Sequence, residues 1–164
     1  MIKLKNSALL AIFISLSVIG ASIKVPAVAG SIALDSVPAL VGAILVGPLF
    51  GAITAFFGHL FSAMLGGFLL GPLHLVIALE MLLITYVFSF VYNKGYRRAG
   101  LILFVFLNSI VAPIPFIFII SSTFYLQIFL PLLIGSIVNA LITALLLPKL
   151  VKFMNKQMSG QKHA

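Results

Sequence analysis

Residues 73–92 read LHLVIALEMLLITYVFSFVY, an apolar run whose single formal charge is Glu80. A spanning helix needs about 20 predominantly apolar residues, so this stretch is expected to cross a membrane by itself. Working outward, Gly71-Pro72 punctuates its start and Asn93-Lys94-Gly95 its end. The same grammar recurs along the chain, with breaks at Lys24-Val25-Pro26, Gly47-Pro48 and Gly66-Gly67. It predicts six spans, at about 7–23, 37–46, 49–65, 73–92, 99–120 and 128–147. The segment 27–36 between the first two reads as a loop.

Composition requires the same class. Of 164 residues, 63% are hydrophobic and only 7% charged, and mean hydropathy is +1.32. A soluble domain runs near 45–50% apolar and about 25% charged, so water cannot be the solvent for this surface. That excludes a soluble enzyme, a nucleic-acid binder of the usual kind and a secreted scaffold. The absence of cysteine removes disulfides, thiolate metal sites and a cysteine nucleophile. The reading is an all-α membrane protein, with residues 1–164 forming one multi-pass domain in the cell membrane.

The net charge of +8 reports topology. Lys3 and Lys5 precede span 1, Lys94, Arg97 and Arg98 follow span 4, and Lys149, Lys152, Lys156 and Lys162 follow span 6. If six helices alternate, every basic residue but Lys24 falls on one side. Lysine and arginine gather on the cytoplasmic side, so both termini are expected there. The first stretch has the basic start of a secretory signal, but cleavage after Ala27-Val28-Ala29 would break the even count. An uncleaved helix is expected. No phosphate-binding loop is present, so ATP would have to be used by a partner.

Ionisable groups inside a membrane are costly and mark candidate sites. Only two acids exist, Asp35 and Glu80, both in the outer half. Asp35 precedes span 2, where Asp35 or Ser36 could cap the helix, and a cap and a ligand contact can coexist. Glu80 lies too deep for capping and needs a donor, a cation or a neutralising proton. Its partner is either structural, such as Asn139 or His59, or a ligand. His59 sits in span 3 and His74 opens span 4. Six helical steps place His74 and Glu80 about 120° apart, which speaks against a same-face metal pair. Asn108 and Asn139 lie mid-span, where amides join helices; Asn139 is read chiefly that way, and Asn108 equally as lining. Lys24 is either an exposed loop lysine or a charge at the outer site.

Several functions fall away. His59, His74 and Glu80 lack the spacing of a metal motif, so no metal or cofactor is expected. An intramembrane hydrolase lacks its second acid or a Ser/His/Asp set. A channel would need a ring of repeated polar residues. Pro113 and Pro115 interrupt span 5 and free carbonyls that protein or a cavity must satisfy. Ser7, Ala11 and Ser15 recur every four residues along span 1. Such a small-residue stripe lets another helix approach closely, either within the bundle or from a partner.

Taken together, these residues resemble a known family. The segments Gly30-Ser31-Ile32-Ala33-Leu34-Asp35-Ser36, Gly58-His59-Leu60 and Gly71-Pro72-Leu73-His74-Leu75-Val76-Ile77-Ala78-Leu79-Glu80-Met81 look like the substrate-binding S component of an energy-coupling-factor (ECF) vitamin transporter. Within it they most resemble the α-ribazole branch, which salvages the lower-ligand nucleoside of cobalamin. The resemblance implies a non-enzymatic subunit binding a small solute at the outer side, contacted by spans 4 to 6. It also implies docking through the span 1 stripe onto a shared transmembrane coupling subunit driven by two cytoplasmic ATPases. The family's stripe is usually Ala-xxx-Ala, whereas this chain has Ser7-xxx-Ala11-xxx-Ser15, still small enough for close approach.

Asp35, Glu80, His59, His74, Asn108, Lys24 and Tyr125 are the candidate substrate contacts. The carboxylates would accept from ribose hydroxyls, and Phe68, Phe116, Phe124 and Tyr125 could stack on a flat bicycle. Rival readings are an S component for riboflavin, a thiamine or pyrimidine precursor or a queuosine precursor, a membrane scaffold without a solute, and a proton-coupled carrier using Glu80.

Overall fold

The computed structural model describes residues 4–27 and 30–160, with side chains for residues 7–23, 34–154 and 156. Helix α1 (Leu4–Ser22) leads into a two-stranded antiparallel ribbon, β1 (Lys24–Ala27) and β2 (Gly30–Ala33). Then come α2 (Ser36–Leu45), α3 (Pro48–Leu65) and α4 (Leu73–Asn93). Helix α5 (Arg97–Phe106) runs into a π-helical turn at Leu107–Val111, followed by the short α6 (Pro115–Ile119) and the long α7 (Ser122–Gly160). Among the described residues, four segments are long and apolar enough to cross a membrane: Pro48–Leu65, Leu73–Asn93, Arg97–Ile119 and Ser122–Met154.

Helix α2 is too short to span at 1.5 Å per residue, and its packing explains why. Val37, Ala39, Leu40, Val41, Gly42 and Ala43 are all buried, because α1, α3, α4 and α7 surround the helix. A helix walled by protein does not have to match the hydrocarbon thickness. Its close neighbours are small: a Cβ on Gly51 of α3 would strike Ala43 and the Ala39 carbonyl, and one on Gly58 would sit 2.7 Å from Ser17 of α1. The main core joins Leu40, Ile84, Phe88, Phe104 and Ala140 from four helices.

The structure corrects the sequence reading in two places and adds detail in a third. The expected loop 27–36 contains strand β2 and begins inside β1. Span 5 is one path with a π-turn in it: Ala112 N–H bonds to the Leu107 carbonyl at 2.8 Å, five residues back. Pro113 then supplies no donor to continue the ladder. Span 6, expected at 128–147, extends from Ser122 to Gly160 and holds both Pro131 and Pro148 inside it. Ser121 Oγ accepts the Phe124 N–H at 3.1 Å, starting α7 a turn and a half early. The small-residue stripe is on the surface: Ser7, Ala11 and Ser15 are exposed, while Ser17 and Gly20 turn inward. Packing of the stripe within the bundle is thereby excluded.

Candidate functional site

A cavity of about 430 Å³ lies at the end of the bundle where α2 and α4 begin and α3 ends. Small-molecule sites typically span ~300–1,000 Å³, largely apolar with a few convergent polar groups. Each wall follows from its element. Helix α4 contributes Ile77, Glu80 and Met81, spaced i, i+3, i+4 on one face. Helix α7 contributes a stripe of the same period, from Phe124 and Gln127 down to Ser136 and Asn139. Asp35 and Ser36 come from the start of α2, His59 from α3, and Asn108 and Pro113 from the broken end of α5.

The polar groups differ in how they are held. Ser36 Oγ donates to Asp35 Oδ1 at 3.1 Å. Protein surrounds the carboxyl of this half-buried residue, and that burial pushes Asp35 above the usual carboxylate range, against the smaller lowering effect of the Ser36 hydroxyl. Asp35 makes no side-chain capping bond to α2. Asn139, reaching across from α7, supplies one instead by accepting the Val37 N–H at 3.2 Å. Asn139 therefore joins helices as expected, and it also faces the cavity. Glu80 Oε2 is buried with no hydrogen-bond partner among the described residues, so neither Asn139 nor His59 satisfies it. Asn108 Nδ2 donates to Ser136 Oγ at 2.8 Å, which in turn donates to the Leu132 carbonyl at 2.6 Å.

His74 stands behind the wall. Its Nδ1 lies 3.2 Å from His59 Nε2, and its ring packs on Phe68 with centroids 5.0 Å apart. The turn that permits this has positive φ at Gly67, Phe68 and Gly71, folding residues 66–72 back over α4. Tyr125 is also outside the lining: its ring stacks on Phe129, and its hydroxyl reaches the Ile110 carbonyl at 3.5 Å. One helical step, about 100°, separates it from Phe124, which does face the cavity. Phe116 lines it too and meets Phe124 at 6.3 Å. The Lys24 side chain lies outside the described residues.

Sequence reading passed over Gln127, Ser136 and Asn139 as cavity residues. Their spacing along α7 held the signal, but starting the span at 128 left Gln127 outside it. No set of three metal-ligating side chains converges among the described residues.

Fold and site together define a multi-pass helical membrane protein with a small-molecule cavity at one end. The chain belongs to the family described as ECF transporter, substrate-specific component, which it matches over residues 5–154. This is a transport family, not an enzyme family. Among solved structures it is similar to the S component of a bacterial ECF transporter, at 20% identity over 92% of this chain and 97% of that one, with a TM-score of 0.69. At that identity the likeness is one of fold. No curated protein matches the chain.

Proposed function

We propose that this single-domain membrane subunit captures α-ribazole from outside the cell and delivers it by docking on a transmembrane coupling subunit driven by two cytoplasmic ATPases. The observation that carries the reading is the composition of the cavity. Two carboxyl groups, Asp35 and Glu80, share it with the aromatic pair Phe116 and Phe124. A nucleoside with a flat apolar base and a hydroxyl-rich sugar complements that mixture: rings for the base, acceptors for the hydroxyls. Glu80 Oε2, buried and unpartnered, has an unmet need that a ligand hydroxyl would fill.

The docking part is supported by the exposed Ser7, Ala11 and Ser15 face, which presents small residues outward. The basic residues at the end remote from the cavity support cytoplasmic termini and an outward-facing cavity. Calorimetry on detergent-purified protein tests the substrate, titrating α-ribazole and 5,6-dimethylbenzimidazole beside riboflavin, thiamine and pantothenate. Tight binding of α-ribazole alone is expected. Binding of another member keeps the transport subunit and replaces its substrate, whereas silence from folded protein discards the substrate reading.

A further inference from the structure

The two histidines at the cavity wall form a relay whose polarity is set from one end. Leu70 N–H donates to His74 Nε2 at 3.4 Å. A backbone amide can only donate, so Nε2 of His74 is an acceptor and the neutral ring carries its proton on Nδ1. That Nδ1–H faces His59 Nε2 at 3.2 Å, which must then accept. The proton of neutral His59 is left on Nδ1. This nitrogen has no partner among the described residues and is not sealed in protein, and the ring it belongs to lines the cavity.

We propose that His74 is a positioning residue that holds His59 as an Nδ1–H donor, so that the substrate must present an unprotonated acceptor atom to His59. The cavity then reads two opposite features. Asp35 and Glu80 take hydrogen bonds from the ligand, and His59 gives one. Resting on the nucleoside reading above, the inference assigns that acceptor to the unsubstituted ring nitrogen of an azole base. A carboxamide oxygen or other sp² acceptor at the same place would satisfy the same donor. The assignment makes the 66–72 turn a determinant of specificity, although of its residues only Leu70 touches the cavity. Only the Leu70 amide distinguishes the two possible directions of the relay.

Two measurements test this. The first needs no ligand: long-range proton–nitrogen NMR on histidine-labelled protein in detergent reports which ring nitrogen is protonated. His59 and His74 are both expected as Nδ1–H in the wild type, with His59 losing that preference in His74→Phe and regaining it in His74→Asn, whose amide can donate in place of the imidazole. A wild-type His59 with its proton on Nε2 overturns the proposal. The second compares α-ribazole with its indole counterpart, in which the ring nitrogen acceptor is replaced by C–H. Wild type is expected to prefer α-ribazole roughly tenfold or more, the order of one hydrogen bond whose partner would otherwise be left unpaired. His59→Phe should abolish that preference and His74→Phe should reduce it. Equal binding of the two compounds by wild type overturns the proposal. If α-ribazole does not bind at all, the substrate reading fails, and the NMR result still decides the direction of the relay.

Discussion

Asn139 caps a helix to which it does not belong. Its Oδ1 accepts the Val37 N–H of α2 at 3.2 Å, across the floor of the cavity. Of the two caps that the sequence offers for α2, Asp35 makes no such bond and, like Ser36, lines the cavity. Asn139→Leu should therefore loosen the start of α2 and leave a buried amide unpaired. A loss of roughly 1–3 kcal/mol is expected for such an orphaned donor, read as a lower Tm in detergent. An unchanged Tm would mean that the cap contributes nothing.

Glu80→Gln tests whether this carboxyl contacts the ligand. The carboxyl is isosteric with the amide, and Oε2 has no partner to lose among the described residues, so the fold should be retained. Replacing the carboxyl that a ligand hydroxyl would meet should weaken α-ribazole binding roughly tenfold, the order of one hydrogen bond. A Kd equal to wild type would show that Glu80 takes no part in binding.

Asp35 predicts a pH dependence with a definite sign. Burial raises its carboxyl above the ordinary value of 3.8, so folding favours the protonated acid. That contribution to stability is complete below 3.8 and is lost as pH rises through the raised value. A ligand hydroxyl donating to the carboxylate acts in the opposite direction. Across the same window, Tm of the empty protein should fall with pH while ligand affinity rises, and Asp35→Asn should flatten both trends.

Ala11→Trp should leave folding and ligand binding intact, because residue 11 is exposed. It should abolish co-purification with the coupling subunit and uptake in cells. Retained co-purification, with uptake unchanged, would place docking elsewhere.

Gly51→Val probes the contact between α2 and α3. The added side chain would meet Ala43 and the Ala39 carbonyl, a helix backbone that cannot move aside. Overpacking costs of ~1–3 kcal/mol or more are expected, seen as lower Tm or lost expression. A valine variant as stable as wild type would show that α2 is not held as tightly as this packing requires.

Periodicity and composition made most of this bundle legible. The ends of α2, α3 and α4 lie within a residue of expectation, because Gly47-Pro48 and Gly71-Pro72 are strong local stops. What escaped was set by tertiary context. Lys24–Ala27 and Gly30–Ala33 are too short to announce a ribbon, and neither shows a clean alternation. Pro131 and Pro148 are both housed inside α7, where protein neighbours or the membrane edge tolerate a missing donor. Among candidate site residues, Asp35, His59, Glu80 and Asn108 converge on one cavity. The pairing of His59 with His74 could not be read from their separation, because it depends on the backbone course of Gly67, Phe68 and Gly71.

The length of α7 has a mechanical consequence. One helix of 39 residues carries Ser136 and Asn139 in the cavity wall and Lys149, Lys152 and Lys156 toward its other end. At 1.5 Å per residue, Lys156 lies about 25 Å beyond Asn139. A tilt of about 10° pivoting near Asn139 would sweep that lysine sideways by about 4 Å on such a lever arm. A small rocking of the cavity wall is thus amplified at the far tip of the rod, where a neighbouring protein could feel it.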